Sequence, residues 1–225
     1  MWGGNSLGAE PRIIHTADSV ISGKINVWDH QGSLVLEVGG YPQSISLNTP
    51  NLKERYWFRA VEEVGGRLVA PRRVLVIGVG GGTILHLFSW KFPGVAITGV
   101  EIDPEIVRVA RDFFELDRVP NLTLVLADGK DFVANYQGER FDLSFVDAYL
   151  GGNFPLAFEE EVFLRRLQRI TRASGLIAIN RAGGGGNLTS FRQILARIFA
   201  KVEMIKIPLP GFLGEMTGNY LFICQ

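Results

Sequence analysis

The 225-residue sequence has one cysteine, Cys224, so no internal disulfide can form. With that cysteine, the three histidines (His15, His30 and His86) give no spacing from which a zinc-type ligand set can be assembled, and no metal is expected. There is no charge excess of either sign. Twenty-three Lys+Arg face 23 Asp+Glu, which argues against a dedicated nucleic-acid binder. No run of about 18 apolar residues is available to span a bilayer, so no membrane partner is expected. Residues 1–11 lack a basic segment followed by an apolar run, so the reading is no signal peptide and a soluble, cytoplasmic protein. What the chain has in excess is glycine, 27 of 225 residues, against an average near 7%. A hydrophobic share of 47% with 20% charged residues marks a globular chain, long enough for one large domain with or without a small appendage.

Two regions differ in pattern. Residues 1–50 read as a small β-region: extended pieces over 24–29, 33–38 and 43–47, with His30-Gln31-Gly32 as a turn. A linking helix is expected over about 51–64, within a connector reaching residue 71. From residue 72 to 225, strands and helices alternate. The continuous apolar run 74–79 suits a strand buried on both faces of a parallel sheet, and 95–100, 122–126, 141–146 and 176–179 follow as further strands. Pro104 stands at a helix start, where its missing N–H costs nothing. Ile106, Val109, Ala110, Phe113 and Phe114 form one apolar face of that helix. Helices are also expected near 129–136, over 158–171 and around Leu188 to Phe199. The pieces 202–207 and 220–224 read as a terminal hairpin with a Pro/Gly-rich loop. The expected architecture is α/β, a doubly wound seven-stranded Rossmann-like sheet with a small N-terminal β-region and a ligand at the carboxyl ends of the strands.

The glycines concentrate at one such end. Gly78-Val79-Gly80-Gly81-Gly82-Thr83 joins the first strand to the first helix, where glycine allows a tight turn and close approach to a ligand. Glu101 ends the second strand, 23 residues beyond Gly78, where an acid can accept ribose hydroxyls. So far NAD enzymes and adenosyl-sulfonium enzymes fit equally well. Asp128-Gly129 at the third strand end and Asp147 at the fourth tip the balance towards the second. An acid at the third end can accept an adenine amino group, and one at the fourth faces the reacting part of the ligand, whereas dinucleotide folds need neither.

At these residues the sequence resembles the spermidine synthase family, a branch of the class I adenosylmethionine-dependent transferase fold. The resembling blocks are Val74-Leu75-Val76-Ile77-Gly78 with Gly80-Gly81-Gly82-Thr83, then Val100-Glu101-Ile102-Asp103-Pro104, Ala127-Asp128-Gly129, and Phe141-Asp142-Leu143 through Val146-Asp147. The segment from Pro155 to Phe163 is similar to the one after the family's active-site loop. The resemblance implies a ribose ligand in Glu101, an adenine ligand in Asp128, a base for the attacking amine in Asp147 and a cofactor contact in Gln43. It also implies a transferase whose cofactor is S-adenosylmethionine or its decarboxylated form, acting on a small-molecule or protein amine, and commonly a homodimer.

The departures bear on substrate. Where the family's glycine loop carries an aminopropyl-binding Asp, Gly80 stands nearest. The family's second acid on the loop after the fourth strand is replaced by Leu150, and of a Tyr-His-Glu segment only Tyr56 is kept, in Tyr56-Trp57-Phe58. These losses predict a weak site for polyamines. They also leave the N–H groups around Gly80–Thr83 as an expected anion nest for the carboxylate of intact adenosylmethionine. Methyl transfer is therefore the leading expectation. Aminopropyl transfer and a non-catalytic nucleoside-binding subunit are the alternatives, with NAD binding a distant fourth. Tyr56 is expected to orient the amine, and Tyr149 with Gly151-Gly152 to form a lid. Arg165, Arg166, Arg169 and Arg172 read as the solvated face of one helix, His86 as a partly buried structural histidine, and Trp28, Trp57 and Trp90 as core residues.

Overall fold

The computed structural model describes residues 10–182, 187–208 and 218–225. The glycine run 183–186 and most of the loop of the terminal hairpin, two features noted in the sequence, lie outside these residues.

Four antiparallel strands in sequential order make the small sheet: β1 (Arg12–Ser19), β2 (Gly23–His30), β3 (Ser33–Val38) and β4 (Tyr41–Ile45). The expected turn at His30-Gln31-Gly32 is there, with both Gln31 and Gly32 at positive φ, as a two-residue hairpin requires. β1 is one strand more than the sequence pattern indicated. It is an edge strand with no fully buried residue, so it carries no apolar alternation to read. The linking helix α1 (Tyr56–Gly65) starts five residues later than expected, because Asn51 takes a left-handed conformation and residues 52–54 form a separate 3-10 turn.

The remaining elements are β5 (Arg73–Ile77), α2 (Thr83–Lys91), β6 (Ala96–Glu101), α3 (Pro104–Phe114), β7 (Leu122–Leu126), α4 (Gly129–Asn135), β8 (Phe141–Val146), α5 (Glu161–Ile170), β9 (Thr171–Ala182), α6 (Leu188–Ala196), β10 (Val202–Pro208) and β11 (Gly218–Cys224). They build a seven-stranded sheet in the order β10-β11-β9-β8-β5-β6-β7, parallel from β9 to β7, with β11 antiparallel to both its neighbours. This is the expected doubly wound α/β architecture. Helix α5 ends at Ile170 and β9 begins at once, so Arg172 lies on a strand, paired with Asp142, and not on the arginine-bearing helix face.

The alternation along β5 shows why the sheet is covered on both faces. Val74 and Val76 belong to one buried cluster with Val64 of α1 and Phe88 of α2, while Leu75 and Ile77 belong to another with Phe163 and Leu167 of α5. The apolar face of α3 splits its contacts: Ala110 joins the first cluster, and Ile106, Val109 and Phe114 pack against Ile25, Val27, Leu36 and Val38 of the small sheet. Trp90 is 64% exposed, so the core assignment fails for it.

Polar contacts fix the small sheet over the strand ends. Thr83 Oγ1 donates to Ile45 O at 2.6 Å and accepts from Ile45 N at 3.0 Å, and Ser19 Oγ donates to Asp103 Oδ2 at 2.6 Å. Thr83→Val keeps the shape but leaves both Ile45 groups unpaired in a buried place. We expect this change to cost about 2 kcal/mol or more, read as a lowered midpoint in denaturant unfolding with an unchanged slope.

Candidate active site

The sheet reverses its winding between β5 and β8, and a cleft opens where those strands end. Gly78 leaves β5 at φ +89°, and a Cβ there would lie 2.4 Å from Asp147 O, so only glycine lets the two strand exits approach this closely. Gly80, Gly81 and Gly82 are equally confined: added Cβ atoms would meet Ser44 Oγ, Ser44 Cβ and Leu116 Cδ1 at 2.9, 2.8 and 2.9 Å.

Glu101 is buried, and its carboxylate is fully engaged by backbone amides. Oε2 accepts from Val79 N and Gly80 N at 3.0 and 3.2 Å, and Oε1 accepts from Ile102 N and Asp103 N at 2.9 and 3.1 Å. Burial pushes the carboxyl above its ordinary value although four N–H groups pull the other way. Gly81 N donates to Ser44 Oγ at 2.7 Å, and Gly82 N to Val79 O at 2.9 Å. The amides from Val79 to Gly82 are thus all bonded within the protein. Of the anion nest expected at Gly80–Thr83, the three glycine amides are therefore already taken, by Glu101, Ser44 and Val79 O.

Asp128 is placed differently. Its Oδ1 caps α4 through Lys130 N and Asp131 N, while its Oδ2 takes no hydrogen bond among the described residues. Gly129 behind it is required by packing, since a Cβ would sit 2.4 Å from Ile77 Cγ2 and 3.2 Å from the Phe158 ring. Gln43 lines the cleft, but its Nε2 donates to Gly151 O at 3.1 Å, tying β4 to the loop after β8.

Asp147 opens one edge to the cleft and is otherwise enclosed. Asn180 Nδ2 donates to its Oδ1 at 2.7 Å. The Tyr56 hydroxyl lies beside it, buried, without closing a hydrogen bond of good geometry. No cation offsets the burial, which pushes the carboxyl up to about 6. Tyr149 is not free to swing as a lid: its hydroxyl donates to Asn180 O at 3.1 Å and accepts from Ala182 N at 2.6 Å.

The structure therefore brings Gln43, Gly78, Gly80, Glu101, Asp128, Gly129 and Asp147 to one cleft. Gly81 and Gly82 shape its loop from behind, and Tyr56 lies beneath Asp147. The sequence reading missed Ser22, Ser44 and Trp57 on the walls, and Asn180. For Asn180 a signal was available: the parallel register Val146↔Ile179 puts the next residue of each strand side by side. His86 bonds Phe114 O and stands outside the cleft, as its structural reading required. Among the described residues no group of three His, Cys, Asp or Glu is placed to hold a metal ion, and no helix is long and apolar enough to cross a membrane.

A seven-stranded sheet of this order, with a glycine loop and three acids at successive strand ends, defines a class I methyltransferase-like fold. The spermine/spermidine synthase domain model matches residues 59–221, and the chain belongs to that family of transferases. The polyamine aminopropyltransferase of Vibrio vulnificus is 26% identical over 97% of this chain and 73% of its own length. The mouse eEF1A lysine and N-terminal methyltransferase is 32% identical, over 50% of this chain and 18% of its own. A probable spermidine synthase from Corynebacterium glutamicum superposes with a TM-score of 0.76 at 20% identity, covering 95% of this chain and 80% of that one.

Because the folded carboxyl of Asp147 titrates near 6 and an unfolded aspartate near 3.8, the folded state loses stability as pH rises from about 4 to about 6 and stays reduced above. Asp147→Asn cannot ionise and keeps an acceptor for Asn180. We expect the variant to be more stable than the parent at pH 8, by at most about 3 kcal/mol. The gain should vanish near pH 3, as read by urea unfolding at both values.

Proposed function

We propose that the chain transfers an aminopropyl group from decarboxylated S-adenosylmethionine to an amine nitrogen at this cleft. The observation that carries the reading is Asp147, a largely enclosed carboxylate with no cation of its own among the described residues, facing the same cleft as the glycine loop, Glu101 and Asp128. The described residues suit a nucleoside. Asp128 Oδ2 is open to an adenine amino group, Ala127 and the Phe158 ring offer apolar contact, and Glu101, its carboxylate taken by four amides, fixes the cleft wall on the ribose side.

The two candidate donors differ by one group, the α-carboxylate of the intact form. The charged residues that line the cleft are Glu101, Asp128, Lys130 and Asp147, and Lys130 follows the nucleoside-side Asp128-Gly129. With the loop amides engaged by Glu101 and Ser44, an α-carboxylate near Asp147 finds neither a cation nor a free amide among these groups. This reverses the preference drawn from the sequence, which rested on an anion nest. The relative matched along nearly the whole chain is an aminopropyltransferase, which supports the same reading. Methyl transfer remains the second reading because the methyltransferase relative matches half the chain at 32% identity.

The bound sulfonium supplies an electrophilic carbon and a thioether leaving group. The protein's part is to place a neutral nitrogen in line with that carbon and to receive its proton. Asp147 suits both roles. Its raised pKa makes it a stronger base than an exposed aspartate, and Asn180 fixes its orientation through Oδ1.

Titration calorimetry on the full chain should show decarboxylated adenosylmethionine binding about tenfold or more tightly than the intact form, the worth of one unpaired charge. Tighter binding of the intact donor would establish methyl transfer instead. For turnover, kcat/KM should rise with pH through about 6 as Asp147 ionises, a limb that Asp147→Asn should abolish together with at least about 100-fold of the rate.

A further inference from the structure

Among the described residues, the cleft outside the nucleoside end is lined by one charged group. Asp147 is accompanied there by Ala148, Tyr149, Leu150 and Trp57, and the other charged lining groups, Glu101, Asp128 and Lys130, belong to the nucleoside end. The next carboxylate along the loop, Glu159, is bonded to Arg181, and that guanidinium lies 4.3 Å from the Phe154 ring centre. Arg181 neighbours Asn180 on β9 and reaches Tyr149 electrostatically. Beyond Asp147, the next charges on the loop and at the end of β9 are therefore a mutually paired Glu159 and Arg181, outside the cleft lining.

Around Asp147 the polar atoms are arranged for one nitrogen. The carboxylate keeps an edge open to the cleft. Asn180 is 3% exposed, and its Oδ1 has no hydrogen-bond partner although its amide is held by Asp147. The Tyr56 hydroxyl, on a residue 4% exposed, turns to the same carboxylate. Both neighbours thus hold the carboxylate in place from the protein side, and its open edge is left for a group that arrives with the ligand. A single amine, with its N–H donors, matches that edge.

We infer that the acceptor is an amine with one nitrogen on an otherwise apolar, uncharged body, and that Leu150 is a specificity residue that disfavours a second ammonium. This rests on the transfer reading above and adds the acceptor to it. Leu150 lines the cleft three residues after Asp147, is 43% exposed, and is held by paired backbone bonds with Asn153 at 3.0 and 3.1 Å. In the step itself the amine lone pair forms the new N–C bond and the C–S bond breaks. The bonding pair leaves on sulfur as a thioether, and the nitrogen's proton passes to Asp147. A second ammonium on the acceptor would lie against Leu150, Trp57 and Tyr149 without a counter-charge among the described residues, and an unpaired charge in partly desolvated surroundings weakens binding.

The experiment uses the full chain with decarboxylated adenosylmethionine and follows thioether release with phenethylamine, hexylamine and putrescine as acceptors. The expected result is a kcat/KM for the two monoamines about tenfold or more above that for putrescine. Leu150→Asp should narrow or reverse this ratio by about the same factor, and its donor Kd, measured by calorimetry, reports whether the variant still folds and binds. If that variant does not fold, the acceptor preference of the unmodified chain decides alone. A donor that binds, with putrescine used as well as the monoamines or better, overturns this inference and leaves the transfer reading standing. A donor that binds while no amine is alkylated also overturns it. A donor that does not bind overturns the transfer reading, and this inference with it.

Discussion

The site hangs from the carboxylate of Glu101. Its two oxygens take four backbone amides, two from the glycine loop and two from the turn into α3, so one buried side chain fixes the exit of β5 relative to the exit of β6. The same turn holds Asp103, which caps α3 and accepts from Ser19, and that bond reaches into the small sheet. From the other side Ser44 takes Gly81 N, and Thr83 grips Ile45. The glycine loop is thus a junction at which three pieces of the fold are tied, and its missing side chains are what let the ties be short. A carboxylate that remains buried against its desolvation cost needs this many donors, and the donors need it, since loop amides left unpaired would be costly in their turn.

That junction corrects the reading of the loop as an open anion receptor. A glycine-rich strand-to-helix turn presents N–H groups, and sequence can say that they exist. It cannot say what has already bonded them. The partner of Gly81 comes from Ser44, thirty-seven residues earlier on another sheet, through a contact with no periodicity to announce it. The strand ends themselves were readable, because continuous apolar runs stop where a strand buried on both faces leaves the sheet, and the acid that follows then stands at its carboxyl end. Glu101, Asp128 and Asp147 were found in this way. Asn180 was missed because the apolar run of β9 was followed only to Ile179, and its importance lies in the register with β8 rather than in β9 alone. Edge strand β1 has no apolar face to betray it, and Trp57 both packs on the core, as its apolar character suggests, and lines the cleft.

Within this frame Asp147 is costly by design of its surroundings. Other enclosed carboxylates are satisfied locally: Asp142 has Arg172, Glu159 has Arg181, and Glu101 has its amides. Asp147 has an asparagine amide and a tyrosine hydroxyl at its side, neither of which carries charge. Placing a carboxylate where burial raises its pKa lowers the stability of the folded state at neutral pH, and a packing role alone gives no reason to keep it. A cationic sulfonium or amine entering the cleft supplies the absent counter-charge. Binding of such a ligand and ionisation of Asp147 then favour one another by linkage, the ligand drawing the pKa down and the carboxylate strengthening the hold. The group then serves two stages of the proposed reaction: as an anion it holds the cationic sulfonium, and when C–S cleavage moves the positive charge to the nitrogen it is the adjacent acceptor for the proton that the product loses.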